Sequence, residues 1–421
     1  MENWGLSEWL HWQETLNSEE IDLDLERINL VASRLEIEPP TDRTFLIAGT
    51  NGKGTTVALI EELLVNKKLR VGSYTSPHLI DYNERICVNK KPIDHARLID
   101  SFKLIESVRG NVALTFFEFG TLSAFTIFND FNCDAWVIEV GLGGHLDATN
   151  IITPSISIIT NVDLDHQNWL GNTIDEIAKE KAGIISFGIP CIFGDSPVPP
   201  AIQIVADIED SELYAWDSDF FLVENGDSFE WKGRNTKIDS IIIPSHWGPG
   251  ECHNLASSLT SIEIVDSKLL PSEKELNHLL RNFSVPGRFE VIEKTQTWIL
   301  DVAHNPHAAK NLKKKLELLN PYNKITVILS MMRDKDVIGF VKVLDDLVAQ
   351  WIVCEMDSPR SFSVQTLQKK LIDYGISNVS AESGLIEAFS NINNRTQKND
   401  RILITGSFEI VGPAKKWLDS E

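Results

Sequence analysis

A chain of 421 residues is too long for one ordinary domain and comfortable for two, each with its own core. Lys and Arg number 39 against 61 Asp and Glu, a formal charge of −22, which opposes adventitious binding to nucleic acid or an anionic membrane. The five cysteines, at 87, 133, 191, 252 and 354, show no C-x-x-C pairing, no apolar run nears the roughly 18 residues of a membrane span, and Met1-Glu-Asn-Trp-Gly lacks a signal peptide's basic region, so a cytoplasmic setting is expected.

The N-terminal stretch carries Trp4, Leu6, Trp9, Leu10 and Trp12, then Ile21-Asp-Leu-Asp-Leu-Glu-Arg-Ile-Asn-Leu-Val, helical in spacing over its second half. Its aromatic residues cap the sheet or line a flat-ligand pocket; sequence alone favours capping. An apolar strand over 45–48 then runs into Gly49-Thr-Asn-Gly-Lys-Gly-Thr-Thr56 and a helix that buries Val57, Ile60, Leu63 and Leu64. Glycines 49, 52 and 54 let successive backbone N–H groups (from Gly49, Thr50, Asn51, Gly52, Lys53, Gly54, Thr55 and Thr56) face a polyphosphate, with Lys53 reaching the outer phosphates. Against G-x-x-x-x-G-K-[ST] the loop has Ile47 for the first Gly and Gly54 for the metal-binding hydroxyl, so a metal needs other ligands.

A second strand over 70–76 ends at Ser76, helical patterns cover 93–108 and 116–131, and strands over 135–140 and 156–160 end in Glu139-Val-Gly-Leu-Gly-Gly and Asn161-Val-Asp-Leu-Asp-His166. Strands separated by helices, with polar groups at the strand C-terminal ends, describe a parallel sheet whose ligand lies along that edge. Glu139 stands where P-loop proteins place a Mg²⁺-holding carboxylate, and Ser76 and His166 come from other strand ends, a set that suits Mg²⁺ or Mn²⁺. Alone, His166 reads as a hydrogen-bonded loop histidine. Lys181, in Lys179-Glu-Lys-Ala-Gly-Ile184, reads as a solvated helix residue ahead of a C-capping glycine.

Short alternating runs over 210–245 predict hairpins, a helix begins at Cys252, and Val285-Pro-Gly-Arg288 supplies hinge punctuation. The boundary is placed there, giving domains 1–285 and 286–421. Beyond it strands over 297–302, 325–329, 351–354 and 401–405 alternate with helices over 308–319, 337–349 and 364–374, a second, smaller α/β sheet. Asp301-Val-Ala-His-Asn-Pro-His307 again sets polar groups at a strand end, Arg288 and Asp301 are candidate nucleotide contacts, and Ser407 is a hydroxyl able to bind a carboxylate. Each of these alone is equally readable as a turn or surface residue.

Taken in order, Ala48-Gly-Thr-Asn-Gly-Lys-Gly-Thr-Thr, Ser76-Pro-His-Leu with Glu84-Arg-Ile, Phe117-Glu-Phe-Gly-Thr, Glu139-Val-Gly-Leu-Gly-Gly with Leu146-Asp-Ala-Thr-Asn, Leu164-Asp-His, Glu180-Lys-Ala-Gly-Ile, Pro286-Gly-Arg-Phe, Asp301-Val-Ala-His-Asn-Pro-His and Asp334-Lys-Asp resemble the folylpolyglutamate synthase/dihydrofolate synthase family. These are ATP-dependent amide ligases similar to the Mur ligases, and the match covers nearly the whole chain. The resemblance implies a P-loop N-terminal domain with a mostly parallel sheet and a smaller Rossmann-like α/β C-terminal domain. It further implies glycine-loop residues on the ATP phosphates, Ser76, Glu139 and His166 as ligands of Mg²⁺ or Mn²⁺, K⁺ as a further ion, and carbamylation of Lys181. Asn254, Arg288 and Asp301 match nucleotide positions, His304 and Ser407 resemble contacts for incoming L-glutamate, and the N-terminal aromatics with Thr115, Phe117 and Asp147 are similar to the side that takes dihydropteroate and folates.

Three residues depart from the family pattern: His145 where Arg is usual, Glu409 where an aromatic or His is common, and Asp24 in a stretch that usually carries Gly. The implied reaction is acyl-phosphate chemistry, with the two domains closing at 285–288 to exclude water, in a monomer without nucleic-acid or membrane partners. The rivals are a Mur-type ligase acting on a UDP-sugar peptide and a P-loop nucleotide switch. The switch needs N-K-x-D, and Asn161-Val-Asp lacks the lysine.

Overall fold

The computed structural model describes residues 3–17, 22–319, 325–395 and 400–420; Ile21, expected to open an amphipathic stretch, lies outside them. The chain divides into two compact units: Met1–His78 with Tyr82–Ile243 and Glu251–Arg281, and Leu79–Asp81 with Pro244–Gly250 and Asn282–Glu421. The division thus falls ahead of the Pro-Gly segment at 285–288. Gly287 O accepts Val302 N at 2.9 Å, so that turn is already hydrogen-bonded within the second unit.

Among the described residues the first unit contains an eight-stranded sheet of order β4-β3-β2-β5-β1-β6-β7-β8. Its strands are β1 (Thr44–Ala48), β2 (Val71–Tyr74), β3 (Ile86–Val88), β4 (Lys91–Pro92), β5 (Ala135–Glu139), β6 (Ile156–Ile159), β7 (Cys191–Phe193) and β8 (Leu213–Ala215). From β2 across to β8 every pairing is parallel, while β3 and β4 run antiparallel along one edge. The central strands β1, β5 and β6 are buried throughout, which is why they read as unbroken apolar runs rather than as alternation.

Helices α1 (Leu6–Glu14) and α2 (Glu26–Ala32) precede the sheet, α3 (Lys53–Asn66) links β1 to β2, and α4 (His95–Arg109) and α5 (Phe116–Asp130) lead into β5. The N-terminal aromatics cap, but what they cap is the helix layer, since α1 packs on α4 and α5. Trp9 is fully buried, edge-to-face with Trp4 and Trp12 at centroid distances of 5.5 and 5.4 Å and against Phe102 at 6.0 Å. Helices α6 (Gln167–Leu170), α7 (Ile174–Ala182) and α8 (Pro200–Ile208) complete the run to β8. The expected hairpins are an antiparallel meander, β9 (Phe221–Asn225), β10 (Ser228–Lys232) and β11 (Lys237–Ile241), while 213–215 instead joins the main sheet as β8. Helices α9 (Pro249–Asp266) and α10 (Glu273–Asn282) follow.

The second unit is built on a six-stranded sheet of order β12-β13-β17-β14-β15-β16. Its strands are β12 (Glu290–Glu293), β13 (Thr297–Asp301), β14 (Ile325–Leu329), β15 (Val348–Cys354), β16 (Val379–Glu382) and β17 (Arg401–Thr405), parallel except for β12. Its helices are α11 (Pro306–Leu319), α12 (Val337–Leu344), α13 (Val364–Tyr374), α14 (Leu385–Arg395) and α15 (Phe408–Ser420). The helix expected over 337–349 stops at Leu344. Asp345 and Asp346 form a 3₁₀ turn, and Val348 already pairs with Ile325 in β15. No helix among the described residues is long and apolar enough to cross a membrane.

Candidate active site

The sheet order sets Ser76, Glu139, the glycine loop and residues 160–166 in a row, because β2, β5, β1 and β6 are successive neighbours and each ends on the same edge. The loop is fastened to the tip of β6. Thr50 N donates to Asn161 O (3.1 Å), Asn51 N to Asn161 Oδ1 (3.0 Å), and Asn51 O accepts Thr160 Oγ1 (2.6 Å) and Asn161 Nδ2 (3.1 Å). Thr50 Oγ1 accepts Asp163 N at 2.9 Å. Thr160, Asn161 and Asp163 are therefore positioning residues that motif reading missed, although a polar run at the strand tip beside β1 was the available signal.

Two loop glycines are required by geometry. At Gly49 (φ +147°) a Cβ would stand 1.8 Å from Thr160 Oγ1, and at Gly52 (φ +85°) one would stand 2.7 Å from Asn254 Oδ1. The second approach also brings the Asn254 amide, carried by α9, against the loop. Lys53 Nζ donates to Gly49 O at 3.1 Å, folding back over the loop it leaves. Thr55 and Thr56 are buried, and Thr56 is turned inward: its N–H donates to Gly52 O at 2.9 Å and its hydroxyl meets no partner.

Glu139 closes the other side. Its Oε2 accepts Ser76 N at 3.2 Å and would stand 3.4 Å from a Cβ at Gly54. A side chain at 54 would enter the space between loop and carboxylate, so the missing hydroxyl of the loop leaves room for a cation held from elsewhere. A carboxylate, an adjacent hydroxyl and a histidine fit a divalent ion of the Mg²⁺ or Mn²⁺ kind. Among the described residues no group of three or more His, Cys, Asp or Glu forms a metal site by itself. His166 sits at the neighbouring tip in the left-handed region (φ +50°), its N–H donating to Asp165 Oδ1 at 2.8 Å.

Lys181 is where the structure departs most from the solvated-face expectation. Helix α7 buries Ile177, Ala178, Lys181 and Ala182, a helical stripe on which the lysine lies, and Lys181 is 4% exposed. Its amine is pulled down from 10.5 to about 7, first by burial and then by the positive charge of Lys53, with Asp165 and Asp147 acting in the opposite sense. The loop after β5 covers this end of α7. His145 N donates to Glu180 O (3.0 Å), Asn150 Nδ2 to Gly183 O (2.9 Å), and a Cβ at Gly144 would stand 2.7 Å from Glu180 O. Asp147 organises the loop by accepting Leu142 N (2.8 Å), Thr149 N (3.0 Å) and Thr149 Oγ1 (2.6 Å); burial holds its carboxyl above the usual range.

Phe117 lies across Gly141, where a Cβ would be 2.5 Å from the ring, and stacks on Tyr74 at 5.9 Å. Thr115 caps α5 in a reciprocal box with Glu118, whose carboxylate meets Arg27 at 3.3 Å. Asp24 belongs to the same group, 3.2 Å from the Arg27 guanidinium. The side chain of His145 is exposed.

In the second unit the candidates again gather at neighbouring strand tips, those of β13, β17 and β14. Asp301 accepts Phe289 N and Ala303 N, both at 2.8 Å, His304 Nδ1 lies 2.8 Å from Val302 O, and Ser407 Oγ accepts Glu409 N at 3.1 Å as α15 begins. The Arg288 guanidinium stacks 5.2 Å from the centre of the Phe408 ring. Ser330, which the sequence did not single out, follows β14 fully buried with no partner for its hydroxyl.

Known proteins resemble this chain over nearly its whole length. The model of the Mur ligase middle domain matches residues 47–190 and that of the Mur ligase glutamate ligase domain residues 287–408. The dihydrofolate synthase/folylpolyglutamate synthase of Escherichia coli strain K12 is 33% identical over 415 residues, spanning 99% of this chain and 96% of that protein. The structure of E. coli FolC in complex with DHPP and ADP is similar with a TM-score of 0.92 at 33% identity, over 99% of this chain and 98% of that one. That of the bifunctional enzyme from Yersinia pestis, complexed with AMPPNP and Mn ion, is similar with a TM-score of 0.90 at 35% identity, with 99% and 98% coverage. The chain belongs to the dihydrofolate synthase/folylpolyglutamate synthase family of Mur ligases.

Proposed function

We propose that this protein joins L-glutamate to dihydropteroate and to reduced folates at the expense of ATP. The observation that carries the reading is that the charge of Lys53, at the glycine loop, reaches a buried Lys181 held near neutrality on α7, while Glu139 closes the other side of that loop. In a chain of net charge −22, two amines turned toward one place make a local site for a polyphosphate.

A carboxylate and an amine do not condense at neutral pH until the acyl group is activated. A carboxylate oxygen of the acceptor attacks the γ-phosphorus, the bond to the β-phosphate oxygen breaks, and ADP leaves an acyl phosphate. The amine of glutamate, having lost its proton, then attacks the acyl carbon, and phosphate departs. Backbone N–H groups of 49–55 and the Lys53 ammonium hold the phosphates and oppose the charge that develops on them. Ser76, Glu139 and His166 would hold Mg²⁺ or Mn²⁺, which would supply charge neutralisation at the transferring phosphoryl group. Lys181, about half neutral near pH 7, is suited to add CO₂ and so become an anionic carbamate beside the cation site.

Asn254, Arg288 and Asp301 are assigned to the nucleotide, His304 and Ser407 to glutamate, and Phe117 with Thr115 and the Asp147-shaped loop to the acceptor. Because the loop, the acid and both lysines come from one chain, a working monomer is inferred. The unpaired cysteines suit the reducing cytoplasm. Purified protein supplied with dihydropteroate, tetrahydrofolate, ATP and glutamate tests the reading: mass analysis should find dihydrofolate and glutamate-extended folate. ADP release indifferent to acceptor and glutamate would remove it.

A further inference from the structure

Arg85 ends the 3₁₀ turn Tyr82–Arg85, and its backbone O accepts Thr75 N at 2.9 Å, one residue before Ser76. Its guanidinium is flanked by two rings, 5.2 Å from the centre of Tyr82 and 5.7 Å from that of Phe116, the residue preceding Phe117. Its Nε donates to His78 Nδ1 at 2.9 Å, which fixes the plane of the group. Among the described residues no carboxylate pairs with it, and its two terminal nitrogens have no hydrogen-bond partner. Arg27, Arg109 and Arg234 each meet an acid within 2.7 Å. Arg85 is set apart from the other arginines without an acid by its fixed plane, held between two rings and a histidine directly beside the Ser76 strand end and Phe116.

We infer that Arg85 is a carboxylate-binding residue of the acyl-acceptor site, its two terminal nitrogens taking a carboxylate of the pteroate or folate side by side. The inference rests on the proposed function for the identity of the acceptor. A planar guanidinium suits bidentate recognition, and the rings beside it lower the local polarity in which the pair forms. Pteroate offers only the carboxylate that reacts; folate adds the α-carboxylate of its glutamate, which does not. Either source satisfies the same chemistry.

The test compares binding of pteroate and of folate, each as the acid and as the uncharged carboxamide, to the full chain, to Arg85→Met and to Arg85→Lys, with ATP affinity and thermal melting as controls. In the wild type the acid should bind about tenfold or more tightly than the amide. Arg85→Met should reduce that ratio to about one by weakening the acid alone, and Arg85→Lys should restore part of it. Collapse of the ratio for pteroate assigns Arg85 to the reacting carboxylate, and collapse only for the α-carboxamide of folate assigns it to the other. A ratio that survives in Arg85→Met for every pair, or an equal weakening of acid and amide, overturns the inference. A wild-type chain that binds no pteroate or folate overturns the acceptor assignment itself.

Discussion

Lys181 offers the sharpest test of the chemistry. Burial and the charge of Lys53 lower its amine from 10.5 to about 7, which corresponds to about 5 kcal/mol against the charged form. At pH 7 about half of the molecules then carry a neutral Lys181, compared with roughly one in three thousand for an ordinary lysine, so the form able to add CO₂ is enriched about a thousandfold. At fixed dissolved CO₂, activity should therefore fall as pH drops through about 7, because protonation competes with carbamate formation. Lys181→Ala should lose most activity, and a small carboxylic acid that refills the vacated space should restore part of it. The folded-state value is depressed, so the contribution to stability is fully present above the unfolded value of 10.5 and is lost as pH falls toward 7. The melting temperature of the CO₂-free wild type should rise with pH across that window, and that of Lys181→Met should not follow it. Product formation across pH with and without bicarbonate, for all three proteins, is the assay. Full activity of Lys181→Ala without any added acid would refute the reasoning.

Lys53→Ala should abolish ADP release while leaving the fold intact by circular dichroism, since the lysine is half-buried at the rim of the loop; near-normal turnover would remove Lys53 from the phosphate site. Gly52→Ala forces a side chain into φ +85° and to within 2.7 Å of Asn254 Oδ1, a local cost of about 1–2 kcal/mol, so nucleotide titration should show weaker binding with the sheet intact by circular dichroism. Trp9→Ala should destabilise the first unit by about 3–5 kcal/mol in denaturant, as a fully buried indole in an aromatic cluster requires. A smaller loss accompanied by a raised acceptor KM would return those rings to a ligand pocket.

Both sheets and most central elements were legible in the chain because their signals are local. A buried parallel strand is an apolar run, and a helix is a stripe; 45–48 and 135–139 needed nothing more. The edges were not legible. Strand β7 is three residues long and β8 is another three inside a turn-rich stretch, so what makes them strands is pairing with β6 and with each other. Helix α12 ended early because β15 begins at Val348, and a strand that recruits residues from the end of a helical pattern is decided by the neighbour it pairs with. The glycine loop was legible as a phosphate cradle, but its anchors at Thr160, Asn161 and Asp163 were not. Adjacency of β1 and β6 is a property of the sheet, not of either segment.

The burial of Lys181 shows how a local pattern and a distant one combine. Positions 177, 178 and 182 mark a face that includes 181, so α7 alone could have placed the amine inward. Helical phase does not say whether that face is dry. Dryness comes from the loop after β5, which lies against the end of α7 only because Gly144 and Gly183 lack side chains: a Cβ at Gly144 would stand 2.7 Å from Glu180 O, and one at Gly183 would stand 2.4 Å from His145 Cβ. The same loop is drawn taut by Asp147, whose charge also reaches Lys181, and it begins at Glu139. One connection therefore contributes the acid at its start, the cover over the lysine at its middle and the countercharge at its end. A change that loosened this packing would let water reach Lys181, raise its proton affinity toward that of an ordinary lysine, and so weaken carbamate formation.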